Sequence, residues 1–270
     1  NILIPYVNKL TIEGAYTMSK IVLIGANHAG TAAANTILDN YPENELVIID
    51  RNDNISYLGC GTALWVGRQI DNPDGLFYCS RDVFQGQGAT VHMETAGERI
   101  DFDAKRVIAK DKSGKEITAD YDKLILATGS LPITPKIPGI ELENVKQVKL
   151  FQDGRAINEI LERPEIRRVA VVGAGYIGVE IVEAVKRRGK EALLFEAADT
   201  SLSTYYDPRF THDMDRVLKH GVIELHYSEL VKEIKGPGKV SGIVTDKAEY
   251  AVDMAILPIG FRPNTALGVG

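Results

Sequence analysis

Residues 169–196 read VAVVGAGYIGVEIVEAVKRRGKEALLFE. A short apolar run comes first, then Gly173-x-Gly175-x-x-Gly178, then apolar residues at helical spacing, then a second apolar run ending in Glu196. The order describes a βαβ unit: a buried parallel strand, a tight turn, a helix packed by one face, and a second strand. Gly189 stands just after Lys186-Arg187-Arg188, where a helix-terminating glycine and cations suit the C-terminal dipole. Gly173 permits the turn, Gly175 lets backbone amides approach a pyrophosphate, and Gly178 lets helix and strand pack closely. The helix N-terminus attracts the diphosphate. Glu196 is placed to accept hydrogen bonds from ribose hydroxyls and to repel a 2′-phosphate. Ala197-Ala198-Asp199 supplies no arginine to offset that repulsion, so NAD is favoured over NADP.

Working outward, the pattern occurs a second time. Residues 21–50, IVLIGANHAGTAAANTILDNYPENELVIID, repeat the same succession with Gly25-x-Asn27-x-x-Gly30 and Asp50 as the acid. Asn27 replaces the middle glycine. Asparagine tolerates positive φ, which would preserve close backbone approach. His28 beside it is unusual for a phosphate loop. Two such units imply an α/β protein with two Rossmann-like dinucleotide-binding domains, each a three-layer arrangement.

Between the repeats, residues 88–121 alternate short polar strands with turns, including a hairpin at KDKSGKE. YDKLILATGS then reads as a buried strand running into Thr128-Gly129-Ser130, and LPITPKIPG, with prolines at 132, 135 and 138, as a stiff connector. The expected division is residues 18–135 for the first domain and 136–252 for the second. Residues 253–270, DMAILPIGFRPNT and beyond, would begin a return to the first. Residues 1–17 read as a translated leader or a disordered extension ahead of a start at Met18.

The 270 residues are 44% apolar and 25% charged, with a net charge of −6. That balance suits a soluble globular chain and argues against nucleic acid or an anionic membrane surface as partner. No run approaches the roughly 18 apolar residues of a membrane span. Two cysteines make no disulfide framework, which points to a reducing cytoplasm.

One of those cysteines lies in NISYLGCGTALWVG, residues 54–67, between Gly59 and Gly61 at the start of a helical stretch. Together with GANHAG, YDKLILATGS, VAVVGAGYIGVE and DMAILPIGFRPNT, this segment closely resembles the NADH oxidase/NADH peroxidase branch of the flavoprotein disulfide reductases. The cysteine segment is most similar to that of the water-forming NADH oxidases. The resemblance runs from Met18 to Gly270. It implies that the first unit binds FAD, the second binds NADH, and a single redox cysteine lies against the flavin.

Carried onto this sequence, the resemblance makes Cys60 the redox cysteine and His28 its polar, proton-supplying neighbour. Gly25, Ala26, Asn27, His28, Ala29, Gly30, Asp50, Arg51, Cys60, Thr128, Gly129 and Ser130 fall to FAD. Gly173, Gly175, Tyr176, Ile177, Gly178, Glu196 and Gly260 fall along NADH, with Glu180 near the nicotinamide. No metal site is expected. Gly59 and Gly61 would let the buried sulfur approach the flavin face, and the helix beginning near Gly61 would stabilise its thiolate.

Dithiol relatives carry C-x4-C, but here the fifth residue after Cys60 is Trp65. A thiolate/sulfenic acid cycle therefore replaces an internal disulfide, and Cys79 reads as a packing residue. NADH peroxidase, coenzyme A disulfide reductase and a redox-sensing flavoprotein are the competing expectations, with O2, H2O2 or a disulfide as acceptor. The family also has a C-terminal dimerisation domain, absent from this chain, and the full-length protein is expected as a homodimer or homotetramer.

Overall fold

The structure, a computed structural model, describes residues 18–269. The leader reading of 1–17 therefore lies outside the described residues. The first unit comprises β1 (Lys20–Ile24), α1 (His28–Asn40), β2 (Glu45–Ile49), α2 (Thr62–Val66), α3 (Arg81–Gly86), β3 (Thr90–His92), β4 (Thr95–Asp101), β5 (Arg106–Asp111), β6 (Glu116–Asp120), β7 (Lys123–Leu126) and β8 (Ser130–Pro132). Then follow β9 (Val145–Lys146), α4 (Phe151–Leu161), β10 (Arg168–Val172), α5 (Tyr176–Arg187), β11 (Glu191–Phe195), α6 (Pro208–His220) and β12 (Glu224–His226). The chain continues with β13 (Val231–Lys235), β14 (Gly242–Thr245), β15 (Glu249–Ala251), β16 (Met254–Ile256) and β17 (Phe261–Pro263).

The duplication is wider than two βαβ units. One parallel sheet runs β3-β2-β1-β7, the other β12-β11-β10-β16-β9, and each half adds an antiparallel meander, β4-β5-β6 or β13-β14-β15. Strand alternation explains the layering, because neighbouring side chains point to opposite sheet faces. Ile21 and Leu23 pack with Ala34 and Ile37 of α1, while Val22 and Ile24 pack with Val107 and Ala109 of the meander. In the second half Val169 and Val171 face α5, and Ala170 faces Ile234 and Ile243 of the other meander. Even the strand starts correspond. The backbone N–H of Lys20 donates to the Asp122 carboxylate (2.8 Å), and that of Arg168 donates to Asp253 (2.9 Å).

This correspondence changes two expectations. Met254–Ile256 is fully buried inside the second sheet, pairing with β10 on one side and β9 on the other. The second unit therefore extends past residue 252, and only from β17 does the chain return, pairing antiparallel with β8. Its counterpart β7 is not the buried strand the sequence suggests. Among the described residues it is a sheet edge, exposed at both ends and half-buried between them, and Leu126 is 41% accessible.

The segment carrying Cys60 belongs to both halves. The N–H of Ser56 donates to the Ala26 carbonyl of the first glycine turn (3.1 Å), whereas Ala63 and Val66 of α2 are buried in the second unit's core with Ile157 and Ile181. Arg188, its side chain only 3% exposed, donates to the Val66 carbonyl (3.0 Å) and to Asn158 (2.7 Å) and pairs with Glu162. Burial lowers its pKa, and the Glu162 carboxylate offsets part of that.

Candidate active site

The two glycine turns are built alike. Gly25 and Gly173 adopt φ of +97° and +105°, values that favour glycine. The Gly25 N–H donates to Ile49 (2.8 Å) and the Gly173 N–H to Phe195 (2.7 Å), tying each turn to the following strand. A Cβ at Gly30 would stand 1.8 Å from the Gly25 carbonyl oxygen, and one at Gly178 would stand 1.8 Å from that of Gly173. The third glycine of each motif is therefore a contact between helix and turn, as the sequence predicts.

The middle position differs from expectation. Asn27 has φ −89°, so it uses no left-handed conformation; it is the N-cap of α1, as Gly175, with φ −71°, is of α5. Extended backbone at an N-cap is open to any residue, so asparagine fits there without strain. Neither residue caps with a side chain, and neither helix has an acid in its first turn. Ser80 and Asp207, by contrast, cap α3 and α6 through their side chains. The first-turn amides of α1 and α5 are thus left for an external anion.

The acids close the turns. Asp50 accepts from the N–H of Ala26 (2.6 Å) and of Asn52 (2.7 Å). Glu196 accepts from Ala174 (2.7 Å) and Ala198 (3.0 Å). Burial raises the Asp50 carboxyl, although the amides of Asn52 and Ala26 pull it back.

A cavity of about 360 Å³ opens beside the first turn, with Gly25, Asn27, Asp50, Arg51, Thr128, Gly129 and Ser130 in its wall. A larger one of about 750 Å³ opens beside the second, lined by Gly173, Gly175, Tyr176, Ile177, Glu196 and Gly260 among others. Ala26, Gly30 and Gly178 are buried behind the turns, and Ala29 lies on the exposed side of α1. Glu180 lines neither cavity; it is largely exposed on α5, and partial desolvation raises its carboxyl.

Several wall residues escaped the sequence reading. Lys149 lines the first cavity, its Nζ 4.6 Å over the ring of Phe261, which lines the second, so this pair stands between them. Burial lowers the Lys149 pKa. Asn264 closes the first cavity by hydrogen bonds with Thr128 and Gly129. Nothing in QVKLFQD marks its lysine, because only the folded crossing from β9 to α4 brings it there. Tyr205 and Tyr206 cover Tyr176, with Tyr176 and Tyr206 hydroxyls 2.6 Å apart.

Cys60 departs most from expectation. It is exposed rather than buried and lies outside both cavity walls, although it is unpaired with Cys79 as expected. It adjoins the first cavity through Gly59, whose added Cβ would lie 3.8 Å from the carbonyl oxygen of Lys149. Gly61 is crowded by packing, since its Cβ would meet Leu76 Cδ2, the end of a side chain that can shift, at 2.3 Å. The helix after it has five residues and follows a 3₁₀ turn over Gly59–Gly61, so little dipole stands behind the sulfur. His28 opens α1, exposed, with Nδ1 3.1 Å from Tyr78 Oη. Cys79 packs against the first unit's core, and burial raises its thiol.

The site thus combines two glycine-turn α/β units with a free thiol on the segment that joins them. The chain belongs to the pyridine nucleotide-disulphide oxidoreductase family, whose model matches residues 19–269. It is 56% identical over 250 residues to an NADH oxidase of Lactococcus lactis subsp. cremoris, covering 92% of this chain and 56% of that protein. An NADH oxidase of Streptococcus pyogenes is 52% identical over 265 residues, with 94% and 58% covered. The water-forming NADH oxidase from Lactobacillus brevis, solved with NADH bound, superposes with a TM-score of 0.88 at 39% identity, covering 92% of this chain and 55% of that one. The chain thus spans about half the length of the curated relatives it matches. Among the described residues no helix is long and apolar enough to cross a membrane.

Proposed function

We propose that this chain is the nucleotide-binding part of an FAD-dependent NADH oxidase that reduces O2 to water. The observation that carries the reading is the pair of uncapped glycine turns, each with its acid, flanking one cysteine. A dinucleotide diphosphate fits the first-turn amides of α1 and α5, where no side chain competes. FAD belongs at the turn of Gly25 and NADH at that of Gly173, with Asp50 and Glu196 toward the riboses. Bound FAD supplies hydride acceptance from NADH and electron transfer to oxygen.

The remaining chemistry falls to the protein. Cys60 as thiolate attacks peroxide: an S–O bond forms, the O–O bond breaks, and one water leaves. The resulting sulfenic acid is reduced by a second NADH equivalent, which restores the thiolate and releases a second water. His28 donates a hydrogen bond to the departing oxygen. Lys149 places positive charge between the two cofactor cavities. The proposed setting is a cytoplasmic homo-oligomer, in keeping with two free cysteines.

Exposure of Cys60 also leaves room for an acceptor supplied from outside, which favours NADH peroxidase as the second reading. The test measures NADH oxidation against O2 and against H2O2 for wild type and Cys60→Ser. The oxidase reading expects wild type to yield water and Cys60→Ser to keep consuming NADH while releasing H2O2. NADH oxidation by wild type with H2O2 but not with O2 would transfer the assignment to peroxidase.

A further inference from the structure

Three segments meet at Ser56, four residues ahead of Cys60. Ser56 is fully buried, with φ +62°, and its hydroxyl receives the N–H groups of Tyr78 (3.0 Å) and Cys79 (2.8 Å) while donating to the Cys79 carbonyl (2.9 Å). The Leu58 N–H donates to Leu76 (2.8 Å), so residues 76–79 are laced along the segment that leads to Cys60. The same Ser56 donates its own N–H to Ala26 in the glycine turn that starts α1. The backbone of Tyr78 is therefore held, and its exposed side chain reaches back to the first residue of that helix. Its Oη lies 3.1 Å from His28 Nδ1, with the rings nearly parallel at 11° and 5.9 Å between centroids.

An exposed tyrosine on a surface segment has many orientations, and holding it parallel to a histidine costs side-chain entropy. The hydroxyl bond and the stack together offset that cost. A neutral imidazole has one donor and one acceptor nitrogen, and the partner of one decides the role of the other. We infer that Tyr78 is a positioning residue: its phenol donates to His28 Nδ1, fixing the ring and leaving Nε2–H as the donor toward oxygen bound at Cys60. This rests on the oxidase reading for what the donor serves, but the bond itself is independent of it.

The test uses flavin-loaded protein labelled with ¹⁵N-histidine. His28 is one of five histidines, and its signals are identified by their loss in His28→Gln. At a pH where histidine is neutral, wild type should show His28 as the Nε2–H tautomer, with its Nδ1 signal displaced by an accepted hydrogen bond. In Tyr78→Phe, which keeps the stacking ring, that displacement should vanish. The H2O2 released per NADH should rise about fivefold, the worth of one ordinary hydrogen bond, with KM for NADH unchanged. Unchanged His28 nitrogen signals in Tyr78→Phe would overturn the inference, as would altered signals with an unaltered peroxide yield. Altered signals in a protein whose wild type consumes no O2 would leave the Tyr78–His28 tether standing and remove the oxidase reading.

Discussion

Replacing Gly178 by alanine isolates the contribution of the second glycine turn. The new methyl carbon would stand 1.8 Å from the Gly173 carbonyl oxygen, a backbone atom that cannot rotate away, against an ordinary contact of about 3.5 Å. Helix α5 must therefore withdraw by well over an ångström, carrying the amides of its first turn with it. Hydrogen bonds to a charged group contribute roughly 1.5–3 kcal/mol each, so losing two costs about 3–6 kcal/mol. At about 1.4 kcal/mol per tenfold, the NADH Kd rises by about 10²-fold or more. Fluorescence titration with NADH measures this directly, with flavin content recorded in parallel. Gly30→Ala, with the same 1.8 Å clash on Gly25, should instead deplete flavin. Gly75→Ala, which meets nothing within 4 Å, is the neutral control. A folded Gly178→Ala protein whose NADH Kd lies within about threefold of wild type would refute the reasoning.

Gly61→Ala drives a methyl into Leu76 but against a side-chain end that can shift, so a cost of about 1–3 kcal/mol in urea unfolding is expected, largely relieved by adding Leu76→Val. Arg188→Leu removes the charge-assisted bonds to Val66, Asn158 and Glu162 and should lose about 2–3 kcal/mol; an unchanged denaturation midpoint would mean α2 is held by packing alone. For Asp215, burial alone would raise the carboxyl, but hydrogen bonds from Ser201, Thr200 and Tyr227 hold it below the ordinary 3.8. A depressed folded-state pKa gives stability that is present above 3.8 and lost as pH falls toward the folded value. Asp215→Asn should therefore flatten the acid limb of a thermal-melt profile below that pH.

The glycine spacings and the acids at 50 and 196 were legible because each is a local requirement of a turn between strand and helix. The wider duplication was not. Asp122 and Asp253 perform the same strand-start bond, and although both open Asp-x-x-Ile-Leu-x-x-Gly, at 122–129 and 253–260, so short a match carries no topology by itself; the pairing of β7 with β1 and of β16 with β10 establishes the equivalence. Burial of β7 was misjudged because KLIL reads alike in a sheet centre and at an edge; β9 covers β16, and no strand does the same for β7 among the described residues. Lys149 and Tyr78 were invisible for a related reason: each acts across a crossing that no spacing rule encodes. The exposure of Cys60 was not foreseen because its flanking glycines suggested a sulfur enclosed against a ligand, whereas the thiol lies outside both cavity walls.

Because α2 starts from the first half and is buried in the second, the gene cannot be divided at the linker into two well-behaved products. A piece ending near residue 135 would expose Ala63 and Val66 to water, and the complementary piece would lose the lid over Ile157 and Ile181. Whatever loosens the grip of one half on the other must also shift the turn that bears the thiol. Opening at the seam and the placement of the Cys60 sulfur are therefore a single mechanical variable.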